Sequence, residues 1–509
     1  MCCHHLNRRE FLAASTHMVA GTGLALASLS SSAAASQWPS DLWDPERPFR
    51  ASGKPLRVQP ILMYRLPTRR EATSWKSWGG VQTEAAVAEE ASRIAAELKA
   101  LADKADFPIE LAPVLRVTSV EEAAGLSNTA PAVRIVYPAT GSGDVLRACF
   151  GEDGGIVFVR HRSGPVYYWY EALSVQYLRT DRDPGTPDDP RRLSVHDVVV
   201  DDTTELLWRL RALYGIHNFV GARIVAIGGP KGKYAPEAPD RARERFSLDI
   251  VDVSYDDLAK RIEAVMSDPT RVALAERWTD RYLALPHTKL ATERPFVVNS
   301  FLLYALFKDI VHECDAHAFT IRQCMSTILP MAKTTACLTL SLLNDEGLPS
   351  FCESDFVIIP AGILLHHIAR KPVFLHNSTF PHDGIVTCAH CTAPRRMDAS
   401  RYEPARILTH YESEYGAAPK VAIPKGQEVT FINPEYATTR WVGFKGTVVD
   451  NPFYEICRSQ QDVRIHGNWR KLLSEVRDSH WMMAYGDYLR ELGYAAPRIG
   501  ITWENFSEA

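Results

Sequence analysis

The sequence carries almost no charge excess. Its 57 Lys and Arg face 61 Asp and Glu, a formal net charge of -4 at pH 7. That balance gives no electrostatic case for nucleic acid or for an acidic membrane surface. There is no internal repeat, and no low-complexity segment beyond the first residues, which excludes a stacked-repeat architecture. Walker spacing and the G-x-G-x-x-G fingerprint are both missing. The loop Gly228-Gly229-Pro230-Lys231-Gly232-Lys233 therefore reads as a ligand-facing βα loop with no stated phosphate preference. No long apolar run is present either. The stretch Ala13–Leu29 is too short and too rich in Gly, Ser and Thr to span a bilayer stably. Cys388-x-x-Cys391 has no second C-x-x-C to complete a zinc site. It reads as a disulfide, or as a free thiol beside His390.

What is present sets the scale. A chain of 509 residues is too long for one core and predicts two or three domains. A hydrophobic share of 46% with 23% charged residues is that of a soluble globular protein. Asn7-Arg8-Arg9-Glu10-Phe11-Leu12 is a twin-arginine motif, followed by the weakly apolar stretch and the small-residue site Ala33-Ala34-Ala35. This pattern predicts a signal peptide over 1–35, recognised by the twin-arginine export machinery. The mature protein is then periplasmic or secreted. Cys2 and Cys3 leave with the signal, while Cys324 and Cys337, inside apolar runs, read as buried thiols.

Residues 36–55 read as a linker. From Leu56 strands alternate with helices: a strand at Leu56–Tyr64, a helix at Glu84–Ala105, a strand at Ala132–Tyr137 and another at Gly155–His161. An aromatic, helix-like segment follows at Val166–Tyr177. The Pro/Asp-rich stretch 180–191 marks a domain boundary. The alternation resumes through Arg223–Ile227, Leu248–Val253, the helix Val297–Glu313 and the strand Ala316–Ile321. Such alternation means parallel sheets with helices on both faces. After Cys391 the pattern changes to short alternating runs over 405–450, which predicts a β-rich C-terminal region. The expected division is an N-terminal α/β domain over 56–190, a middle α/β domain over 191–394 and a smaller β-rich domain over 395–509.

The middle domain holds the stretch that organises the chain. Between Thr335 and Cys391, apolar strand-like runs end in polar turns: Asn344-Asp345-Glu346-Gly347, then Cys352-Glu353-Ser354-Asp355 opening a helix, then His376-Asn377, then Cys388-Ala389-His390-Cys391. In open α/β sheets ligands sit outside the carboxyl ends of the strands, so one site could collect all four turns. This order, with Ser479-His480-Trp481-Met482-Met483-Ala484-Tyr485-Gly486 near the C-terminus, resembles the L-fucose isomerase and L-arabinose isomerase superfamily. More narrowly, it resembles exported sugar-isomerase-like proteins.

The resemblance implies two Rossmann-like α/β/α domains followed by the β-rich domain. It implies aldose–ketose isomerisation of a small-molecule carbohydrate through an enediol, with a divalent metal, Mn²⁺ first, held by two carboxylates and a His. It also implies assembly into a homo-oligomer. Carried onto this chain, Glu353 is the first carboxylate ligand and His480 the His ligand. The second carboxylate position holds Asn377, which can offer a metal its amide oxygen but cannot shuttle a proton. Acid/base work then falls to Glu353 and Asp355, with His376, His382 and Asp383 as local substitutes. Asn377, His390, Arg322 and His376 are the expected substrate contacts. The expectation outside isomerase chemistry is a sugar lyase or hydrolase on the same scaffold, or a sugar-binding protein that lost its proton shuttle.

Overall fold

A computed structural model describes residues 38–128, 133–150, 155–167, 194–475 and 478–508. The predicted signal peptide, most of the aromatic segment Val166–Tyr177 and the break at 180–191 lie outside the described residues. The chain forms two compact units. One is Lys54–Tyr214, and the other runs from Gly215 onward and includes the segment ending at Gly53.

The first unit is built on β1 (Leu56–Met63), β2 (Ile109–Leu111), β3 (Leu115–Val117), β4 (Val133–Pro138), β5 (Gly155–Val159) and β6 (Val198–Val200). They pair in the order β2-β1-β4-β5-β6, with β3 also on β1, and every pairing is parallel. The middle strands are apolar nearly end to end, as buried parallel strands require: Ile61, Leu62, Ile135, Val136, Ile156 and Val157 are all fully buried. The helix Glu84–Lys104 starts where the Thr83 side chain accepts the Ala86 N–H. Its buried stripe of Val87, Ala91, Ile94, Leu98 and Leu101 follows helical spacing. The expected boundary at residue 190 is corrected here. β6 completes the first sheet, and the unit ends at Tyr214, inside the helix Thr203–Phe219.

The second unit carries a parallel sheet of β7 (Arg223–Ile227), β8 (Asp249–Val253), β10 (Ala318–Ile321) and β11 (Ser350–Cys352), in the order β11-β10-β7-β8. A small sheet joins β9 (Thr288–Leu290), β14 (Ala405–Leu408) and β15 (Ala418–Val421). The remaining strands are β12 (Phe374–Ser378), β13 (Ile385–His390), β16 (Glu428–Pro434), β17 (Arg440–Asp450), β18 (Ser459–His466), β19 (His480–Tyr485) and β20 (Thr502–Asn505). Six of these close an antiparallel barrel, in the order β16-β19-β12-β13-β18-β17 and back to β16, with β20 added parallel to β17. Aromatic residues fill its interior: Phe431 stacks on Phe444 with ring centroids 4.7 Å apart, and Trp481 meets both edge-on.

Two expectations change in this region. The middle and C-terminal domains form one compact unit, because β12 and β13 pair antiparallel with β19 and β18 instead of joining the parallel sheet. The run before Asn344 is the helix Cys337–Asp345, not a strand. Among the described residues, no single helix is long and apolar enough to cross a membrane.

The helix Ile359–Ala369 lies wholly inside this unit and includes buried His366 and His367. Burial pushes the His366 imidazole down to about 4, although its ring nitrogen lies 2.8 Å from the Lys371 carbonyl. The folded protein therefore holds this ring neutral. The stabilisation is complete above the ordinary value of 6.5 and is lost as pH falls from there toward 4, at about 1.4 kcal/mol per pH unit. His367, His376 and His390, also held neutral by burial, add slopes of the same sign, so urea unfolding from pH 7 to pH 4.5 should show a steeper fall, and His366→Asn should flatten it by about the His366 share. An unchanged slope would count against the assignment.

Candidate metal centre

The site forms where the barrel rim meets the carboxyl ends of the parallel sheet, within the second unit. After β11 the chain turns sharply. Glu353 and Ser354 both take left-handed backbone angles, φ 65° and 51°, each at a cost on the order of 1 kcal/mol for a non-glycine residue. The turn does not open a helix directly, since the next one begins at Ile359. It is held by the loop after β7: Lys231 donates its N–H to the Ser354 carbonyl and accepts that of Phe356. Gly232 is required in that loop, because a Cβ there would lie 1.9 Å from the Ala235 carbonyl oxygen. The paired loops present Glu353 from one strand end and Lys233 from the other.

Three barrel strands supply the rest. His480 opens β19, His390 closes β13, and Asn377 lies on β12 directly opposite both His480 and Ala389 in the ladder. Glu353, His390 and His480 each offer one ligand atom, and these atoms lie within 4.8 Å of one another. A carboxylate with two imidazoles can hold a divalent ion. The Lys233 ammonium marks the position for a cation. Its Nζ is 3.3 Å from Glu353 Oε2 and 3.3 Å from His480 Nε2, and His480 Nε2 is 3.6 Å from the same Glu353 oxygen. The donor set fits a metal ion held by Glu353, His390 and His480.

The electrostatics follow from burial and from these contacts. His480 is wholly buried, and burial alone would lower its pKa. Its bonds to Asp355 and Glu353 outweigh that and raise it to about 9. Burial would raise the Glu353 carboxyl, yet His480, His390 and Lys233 hold it well below the usual carboxylate range. Burial pushes His390 down to about 4 against the opposing pull of Glu353, so its ring is neutral and ready to ligate. His390 is fixed by Thr392, whose hydroxyl is 3.0 Å from Nδ1.

Several expected site residues fall elsewhere. Asp355 is not placed to act on a substrate. It is wholly buried, and its oxygens accept from His480 Nδ1 at 2.7 Å, the Lys233 N–H at 2.9 Å and the Val357 N–H at 3.2 Å. It orients His480 so that Nε2 faces Glu353. His376 is inside the barrel, fully buried against Phe374, Phe431 and Trp481, because strand alternation sends it to the face opposite Asn377. Arg322, half-buried at the end of β10, carries its charge near Asp252, and its carbonyl accepts the Tyr255 hydroxyl. The Asn344–Gly347 turn is structural: Asp345 accepts the N–H groups of Arg395 and Arg396, and Glu346 pairs with Lys308 at 2.6 Å. Of the two readings of the C-x-x-C pair, a disulfide or a free thiol, the structure has free thiols. The described cysteines are all free, Cys388 sits in the barrel core, and Cys391 packs instead with Cys337, beside Cys457.

Sequence reasoning missed Lys233 as a site residue, although its loop stood out. A second group, Asp355, Asp478 and His480, also lies within ligand distance. It is closed to an outside ion, since its members are buried and His480 Nδ1 already bonds Asp355. The fold and site thus define a mixed α/β protein with parallel sheets and a C-terminal antiparallel barrel, and a candidate metal centre where the second unit's parallel sheet meets that barrel. No protein-family model matches the chain, and no curated protein matches it.

Proposed function

We propose that this chain is an exported, metal-dependent enzyme acting on a carbohydrate, built on the L-fucose/L-arabinose isomerase scaffold of two Rossmann-like layers and a barrel. The observation that carries the reading is the convergence of Glu353, His390 and His480 from strand ends far apart in the chain. Residues with only local structural tasks have no reason to meet there. Mn²⁺ is the ion that the scaffold implies, and a carboxylate with two imidazoles and no thiolate equally suits Zn²⁺ or Fe²⁺. When bound, the ion would polarise a sugar carbonyl and acidify the adjacent C–H. Glu353 is the carboxylate placed to take and return that proton between C1 and C2, through an enediol. Asn377, opposite His480 in the ladder, would orient a hydroxyl through its amide.

The same Asn377 favours a second reading, a sugar-binding protein without turnover, because an amide cannot transfer the second proton. Incubating Mn²⁺-loaded protein with aldoses in heavy water separates the two. Isomerisation should give the ketose with deuterium entering at C1 or C2 in the NMR spectrum. Sugar binding without exchange would support the second reading and reject the first. Export rests on Arg8 and Arg9, and lysine at both positions should trap the precursor in the cytoplasm. Normal export of that variant would contradict a twin-arginine signal.

A further inference from the structure

We propose that Lys233 is a substrate-anchoring cation and that the site takes an anionic sugar, one bearing a carboxylate or a phosphate. This inference rests on the metal-centre reading above. The Lys233 ammonium pairs with Glu353 Oε2 at 3.3 Å and lies at the same distance from His480 Nε2. Those are two of the atoms a divalent ion would take. With an ion in place the ammonium would lose its share of the Glu353 carboxylate, and its side chain is only 24% exposed. An ammonium left so covered needs a new acceptor.

The surroundings make that acceptor an anion. The nearest carboxylate, Glu353, offsets only half the charge of a divalent ion. Two further carboxylates, Asp355 and Asp478, lie within ligand distance of His480 but are buried behind it, and Asp355 bonds its Nδ1. Asn377, opposite His480 in the ladder, brings no charge. His390, the remaining ligand, is an imidazole. Among the donors themselves, a divalent ion beside the Lys233 ammonium thus sets three positive charges against the single carboxylate of Glu353, an excess in a partly desolvated space where Coulomb interactions are strong. A neutral sugar leaves that excess standing, whereas a sugar carboxylate or phosphate cancels it. The Lys233 backbone does not need to move for this exchange, since its N–H is fixed on Asp355 at 2.9 Å. Only the flexible side chain swings.

The test is calorimetric. Mn²⁺ is first titrated into the metal-free wild type, Lys233→Met and Lys233→Arg. Each loaded protein is then titrated with galactose, galacturonate and galactose 6-phosphate, and with the corresponding glucose series. The wild type should bind one anionic form at least about tenfold more tightly than its neutral parent, the size of one charge-assisted hydrogen bond. The carboxylate and phosphate arms show which anion it is. Lys233→Met should lose that preference while binding Mn²⁺ as tightly as the wild type or more so, and Lys233→Arg should keep the preference. Equal affinity for neutral and anionic sugars, or a preference that survives Lys233→Met, would overturn the inference and leave the metal centre intact. Failure of the wild type and of Lys233→Met to bind Mn²⁺ would overturn the metal-centre reading and this inference with it.

Discussion

Glu353→Gln should abolish high-affinity Mn²⁺ binding while leaving the fold intact. The substitution keeps the shape of the side chain and removes the one carboxylate among the three converging donors. Loss of that ligand should weaken binding by more than about a hundredfold, since even the partners that merely orient metal ligands are worth about 10- to 100-fold. Stability should change by no more than about 1 kcal/mol, because the Glu353 side chain is 43% exposed and ion pairs at that exposure contribute little. The residue sits in a left-handed turn, φ 65°, and Gln inherits the same backbone strain, so strain does not distinguish the two. Calorimetric titration with Mn²⁺ beside urea unfolding reads both quantities. Retained affinity would remove Glu353 from the centre.

Asp355→Asn should behave in the opposite sense, with a large effect on stability and a partial one on the metal. The carboxylate is fully buried and meets three donors: His480 Nδ1, and the backbone N–H groups of Lys233 and Val357. Replacing it by an amide breaks a buried charged contact, which costs about 3–5 kcal/mol. It also loosens the orientation of His480, so Mn²⁺ affinity should fall by about 10- to 100-fold. A drop in stability without any change in affinity would show that Asp355 holds the loops together and does not position His480.

The sequence was most legible where chemistry and local pattern agree. Glu353 and His480 were named by the resemblance to the isomerase superfamily, and both belong to the converging group with His390. Asn377 was legible as a departure. The positions that misled did so for physical reasons. His376 and Asn377 are adjacent, and which of them faces the site depends on β12 pairing with β19 in the register Asn377 to His480. That register is set by tertiary contacts, and a one-residue slip would exchange the two faces. The run Thr335–Leu343 is apolar without clear periodicity, so helix and strand could not be told apart by pattern. Its burial on all sides explains why, since Cys337–Asp345 is buried at every position.

Lys233 was hidden for a different reason. Its loop was recognisable after β7, but its partner loop lies more than a hundred residues further on, bridged through Lys231 and Asp355. Only the parallel sheet order brings the two loop ends together. The closed barrel was equally invisible, because antiparallel pairing of β12 and β13 with β19 and β18 depends on contacts remote in sequence. The alternating strands after Cys391 gave the β-rich character of the region but not its closure.

The most direct test of the account is anomalous diffraction at the manganese edge from crystals of the protein grown with Mn²⁺. The account predicts one strong anomalous peak beside the turn after β11, roughly 2.0–2.3 Å from a Glu353 carboxylate oxygen and from ring nitrogens of His390 and His480. The Lys233 ammonium should be displaced from its present position 3.3 Å from Glu353 and His480. No peak at these three residues at saturating Mn²⁺, with Lys233 still seated between Glu353 and His480, would contradict it.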